Sequence, residues 1–111
     1  MAEPNEGIEL LYTRDCQNWQ QTLVNLKQAL NELHITDSME LVPIDTIEQA
    51  RIYNFFASPT IHINGQDADS QSRRTGKRGM GTGRPYFFKG KAWSAPPKEL
   101  IIKALKDLYL L

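Results

Sequence analysis

Apolar and polar positions along this 111-residue chain alternate between two periods, one of strands and one of helices. Ile8 to Tyr12 is a short apolar run of strand length, and Thr13 to Asp15 is polar and turn-like. From Cys16 the period changes. Cys16, Trp19, Leu23, Leu26, Leu30 and Leu33 recur at steps of three and four, which lays one stripe along about five turns of helix. Residues 39–44 read as a second strand, with Pro43 marking an edge or an end. Asp45 or Thr46 caps a second helix running to about Phe56, since Thr46 to Gln49 has capping-box spacing. Pro59 then breaks the chain into a third strand. There the alternation puts Thr60 and His62 on one face and Ile61 and Ile63 on the other, and Asn64-Gly65 supplies a turn. Residues 66–84 are polar and rich in Gly, Ser, Arg and Lys, which predicts a mobile insertion. Residues 85–89 resume as a strand, and residues 90–95 form a loop. A helix from Lys98 carries the stripe Ile101, Ala104, Leu105 and Leu108.

The order strand, helix, strand, helix, strand, strand, helix predicts an α/β fold with a mixed four-stranded sheet. Its parallel crossovers come first, and residues 58–63 and 85–89 form the antiparallel pair, with the long basic loop between the third and fourth strands. The length suits a single domain over residues 1–111, opened by a polar segment at 1–7. No stretch approaches the roughly 18 apolar residues of a membrane span, and the start lacks the basic and apolar regions of a secretory signal. A soluble cytoplasmic protein is expected. One cysteine excludes an internal disulfide, and two scattered histidines give no ligand spacing, so no metal is expected.

A formal net charge of zero conceals a division. Residues 1–69 hold eleven acids and three Lys or Arg, whereas residues 70–111 hold two acids and ten Lys or Arg. Arg73, Arg74, Lys77, Arg78 and Arg84 fall in a stretch without any acid, and they are the candidate contacts for an anion or an acidic partner. Nucleic acid is the weaker form of that reading, because no aromatic that could stack a base interrupts the run from Arg73 to Arg84. The glycines at 79, 81 and 83 do not make a phosphate loop, since they lead into a strand.

A strand followed by Cys16-Gln17-Asn18-Trp19, then Ser58-Pro59-Thr60-Ile61-His62-Ile63-Asn64-Gly65 and a late Pro96-Pro97-Lys98-Glu99-Leu100-Ile101, resembles the thioredoxin superfamily. The order of elements is that of its glutaredoxin-like minimal core. The likeness is closer to small bacterial thioredoxin-like proteins that read CPNW at the first motif and SPT(I/V)xxNG at the second. It covers residues 8–65 and 84–109 and leaves out the basic loop. It implies that Pro59 is cis and lies against Cys16, and that Ser58 offers backbone groups to an extended substrate, with Thr60 and Trp19 beside them. Trp19 stands where a dithiol oxidoreductase carries its resolving cysteine. Gly83 stands where related proteins carry another, just before Arg84-Pro85-Tyr86. The glycine pair and acidic cap with which glutaredoxins hold glutathione are missing, so no cofactor is expected.

Two functions follow from these residues. In the first, Cys16 is a single redox thiol at a helix N-terminus, helped by Arg14, that forms mixed disulfides with a protein or small-thiol partner and is resolved by an external thiol. In the second, Cys16 is a small half-buried hydrophobe. The chain is then a non-catalytic thioredoxin-fold binding module that uses the Ser58-Pro59 surface and the basic stretch 73–91. His62 is a candidate base near the thiol or a structural strand histidine. Edge strands of the sheet offer a homodimer contact.

Overall fold

The computed structural model describes residues 4–73 and 78–110. Its elements in chain order are β1 (Ile8–Tyr12), α1 (Trp19–Glu32), β2 (Met39–Pro43), α2 (Ile47–Ile52), β3 (Thr60–Ile63), β4 (Gln66–Asp67), β5 (Tyr86–Phe88), β6 (Lys91–Trp93) and α3 (Lys98–Leu108), with a 3-10 turn at Ser70–Ser72. The result is a mixed α/β fold with a four-stranded sheet of order β2-β1-β3-β4. β1 runs parallel to β2 and antiparallel to β3, and β3 runs antiparallel to β4. Among the described residues no helix is long and apolar enough to cross a membrane.

The two faces of the sheet are filled differently. Ile8, Leu10, Ile61 and Ile63 pack with Leu26, Ala29 and Leu30 of α1 and with Leu100, Ile101, Ala104 and Leu105 of α3. Leu11 on the opposite face packs with Ile44, Ala50 and Phe55, around the short helix α2. That helix has its capping box: the Thr46 hydroxyl accepts from Gln49 N–H, and the Gln49 side chain accepts from Thr46 N–H. It ends at Ile52, short of Phe56, because Asn54 turns into the left-handed region at φ 56°.

The fourth strand is not the one expected. Asn64 (φ 52°) and Gly65 (φ 81°) make a two-residue hairpin turn, so the chain folds straight back and Gln66–Asp67 fill the edge beside β3. Residues 85–89 therefore have no place on that edge. Tyr86–Phe88 instead pair with Lys91–Trp93 across a second two-residue turn, Lys89 (φ 51°) and Gly90 (φ 76°), as a separate hairpin. The loop expected over 90–95 thus contains a strand, and the basic insertion begins after the sheet is complete. Helix α1 also starts later than its stripe suggests. Cys16 N–H closes a turn onto the Thr13 carbonyl at 3.0 Å, Asn18 takes the cap position, and Trp19 is the first helical residue. A buried residue in a preceding turn keeps the same apolar spacing as one in a helix.

Candidate functional site

On the α2 face of the sheet, one row of residues is polar from edge to edge. The strand register places Glu40, Glu9, His62 and Asp67 directly opposite one another on β2, β1, β3 and β4. Side chains so placed are near neighbours across a sheet. Glu9 is 2% exposed and His62 3%. Burial pushes the Glu9 carboxyl up to about 7; the Asn5 N–H that donates to it opposes this, and the neighbouring Glu40 charge adds to it. Burial also pushes the His62 imidazole down to about 4, against the pull of Asp67 and with the push of Arg84 and Arg78. Glu9 Oε1 and His62 Nδ1 are each buried with no hydrogen-bond partner among the described residues.

Asp67 joins this row to the basic segment. Its carboxylate takes both terminal nitrogens of Arg84, at 2.9 and 3.0 Å, and both residues are buried. Arg84 Nη1 also donates to Thr60 Oγ1 at 2.8 Å, and the guanidinium lies between the rings of Phe56 and Tyr86, 4.7 and 4.4 Å from their centroids. A planar, weakly hydrated cation suits such a slot as an ammonium would not. The Asp67 carbonyl in turn accepts from Arg73 Nε at 2.8 Å.

The main chain of residues 79–84 is bound to the loop before β3. Gly79 and Gly81 donate to the Phe55 and Phe56 carbonyls, Ser58 N–H donates to the Gly81 carbonyl at 2.8 Å, and Arg84 N–H donates to the Ser58 carbonyl at 2.9 Å. A side chain at Gly81 would meet the Ala57 Cβ at 3.1 Å and the Phe56 carbonyl at 3.2 Å, so glycine there permits the close approach. The Ser58–Pro59 bond is cis, and the Pro59 carbonyl accepts from the Tyr86 hydroxyl. Both backbone groups of Ser58 are therefore used within the chain.

Cys16 is 5% exposed. It precedes the α1 cap, Asn18, in the turn that its N–H closes onto the Thr13 carbonyl. Arg14 makes an exposed pair with Asp45 at 2.9 Å. Trp19 stacks on Tyr12, centroids 4.3 Å apart. Among the described residues, no hydrogen bond links Cys16 to Ser58, Pro59 or Thr60.

The structure thus groups Thr60, Arg73 and Arg84 around Asp67 and ties Ser58 to the same segment, while Cys16 lies in the turn that follows β1, the strand whose Leu11 pairs with Thr60. Arg74 and Lys77 lie outside the described residues. Glu9 and Asp67 are the site residues that sequence reasoning missed. The signal was present: Glu9 is an acid inside an apolar run, and Asp67 follows directly on the Asn-Gly turn. Next to Asp67 a cavity of about 110 Å³ opens between β3, β4 and the residues after α2, lined by His62, Asn54, Ser72, Arg73 and Arg78 among others.

Compared with known proteins, residues 8–105 match one family model, Domain of unknown function (DUF2703). No curated protein and no solved structure matches the chain.

Proposed function

The chain belongs to the DUF2703 family, a membership that brings no chemistry with it, and from the site we propose that it is a thioredoxin-like, non-catalytic binding module for an anionic partner, with Cys16 a structural thiol. The strand order and the sequence motifs support the thioredoxin-like reading of the fold. One observation carries the functional reading. The Ser58 backbone groups that an extended substrate would need are both bonded to Gly81 and Arg84, and the Arg84 side chain is held by Asp67. A covered substrate edge and a buried thiol argue against exchange chemistry at this corner. Within the cationic segment Arg78 is exposed.

The test is binding of the full chain to polyglutamate and to single-stranded DNA at low and raised salt. The module reading predicts binding to at least one polyanion that weakens as salt rises, unchanged in Cys16→Ala. Absence of binding to both at low salt overturns it, as does thiol-disulfide exchange activity that Cys16→Ala abolishes.

A further inference from the structure

We propose that the cavity between β2 and α2 is a binding site for a primary alkylammonium group, carried by a free amine or by a lysine side chain. The site belongs to the acidic part of the chain and is independent of the anion-binding reading above. Three observations converge on it. The cavity holds about 250 Å³, the room of roughly eight waters, which seats a short alkyl chain as well as its head group. Glu9 forms part of the wall although it is only 2% exposed, and its carboxyl has one oxygen to spare. Oε2 accepts from Asn5 N–H at 3.3 Å, but Oε1 has no hydrogen-bond partner among the described residues. A buried polar atom without a partner costs free energy that a ligand donor would recover. Third, the strand register sets Glu40, also in the wall, directly opposite Glu9, so two acids stand side by side on β1 and β2. Like charges so placed repel one another.

The wall decides the sign and the shape of the ligand. Among the described residues no Lys or Arg lines the cavity, and neither Glu9 nor Glu40 has an ion-pair partner. His62, the neighbour of Glu9 on β3, supplies no charge, because burial holds its imidazole neutral down to about 4. Gln49, also in the wall, has its carbonyl oxygen engaged by the Asp45 and Thr46 N–H groups, which leaves the two carboxylates as the chief acceptors. A divalent metal fits poorly, since hard cations take roughly six to eight oxygens and no group of three His, Cys, Asp or Glu among the described residues could hold one. An ammonium head fits better. Its three N–H donors can meet two neighbouring carboxylates at once, and an alkyl stem can lie along Val42, Pro43 and Tyr53, whose ring is of the kind that attracts a cation.

The experiment is a titration of the 15N-labelled full chain with n-butylammonium, with N-acetyl-lysine N-methylamide as the lysine side chain, and with butan-1-ol as the uncharged control. It is run at fixed ionic strength and about pH 8, above the Glu9 value of about 7, so that the carboxylate is mostly ionised. The site predicts saturable shifts of the Glu9, Val42 and Tyr53 amides with at least one of the two ammonium ligands and none with butanol. Glu9→Gln, which keeps the shape of the side chain, weakens that binding about tenfold or more, and so does Glu40→Gln on an exposed residue. Asp107→Asn, with the same charge change on α3, leaves it unchanged. Saturable binding of the lysine derivative assigns the site to a lysine side chain, and binding of butylammonium alone assigns it to a free amine. No saturable response to either overturns the inference, and so does an equal response to butanol or equal weakening by Asp107→Asn.

Discussion

Glu9 and His62 face each other across β1 and β3, and their buried environments act on them in opposite directions. Glu9 is shifted from its ordinary value of 4.5 up to about 7, so the stability it confers is complete below pH 4.5 and is lost as pH rises through about 7. His62 is shifted from 6.5 down to about 4. Its contribution is complete above pH 6.5 and is lost as pH falls through about 4. Over the interval from pH 4.5 to 6.5 the two slopes oppose one another. Glu9→Gln should therefore unmask a stability that rises with pH in this window, and His62→Asn one that falls with pH, each by up to about 1.4 kcal/mol per pH unit. Urea midpoints across the window measure both, and parallel profiles for the two variants would contradict the assignment. The groups facing this pair are Glu40 and the Asn5 N–H on the Glu9 side, and Asp67, Arg84 and Arg78 on the His62 side.

Among the elements, the edge strand β4 and the segment before β5 stand or fall together, because the Asp67–Arg84 pair joins them in a buried setting. Such a pair adds little over an apolar substitute, but removing one partner strands the other charge. Arg84→Met should destabilise the fold by about 3–5 kcal/mol in urea unfolding at neutral pH. The double variant Asp67→Asn with Arg84→Met should recover much of that loss, and full additivity would show that the pair is not coupled. Much of this architecture was legible in the residues. The strand at Ile8–Tyr12, the Thr46 cap, the Asn64-Gly65 turn and the apolar stripe of α3 follow from period and turn chemistry alone. The pairing of residues 85–89 did not. The edge strand that fills that place is only two residues long, too short to register as a period, and Lys89-Gly90 acts as a hairpin turn that composition alone does not single out. The polar row was hidden for a related reason: alternation assigns a face to His62 and Glu9, but only register aligns them with Asp67.

Across the whole molecule, the charge division of the sequence becomes an anatomy. Its acidic part supplies the whole four-stranded sheet and two helices, and the basic part closes over the β3 corner before supplying the hairpin and α3. Residues 79–84 take the backbone groups of Ser58, Arg84 locks them, and Arg73 and Arg78 line a cavity beside Asp67. Cys16 is buried in a turn ahead of α1. The claim that this is a binding module with a structural thiol is tested most directly by the alkylation rate of Cys16 with iodoacetamide in the native chain, set against a peptide of residues 13–19 at the same pH. The predicted rate for the native chain is slower by about a hundredfold or more, the factor for an opening that costs about 3 kcal/mol. A native rate equal to or above that of the peptide would contradict the account and return Cys16 to the centre of the chemistry.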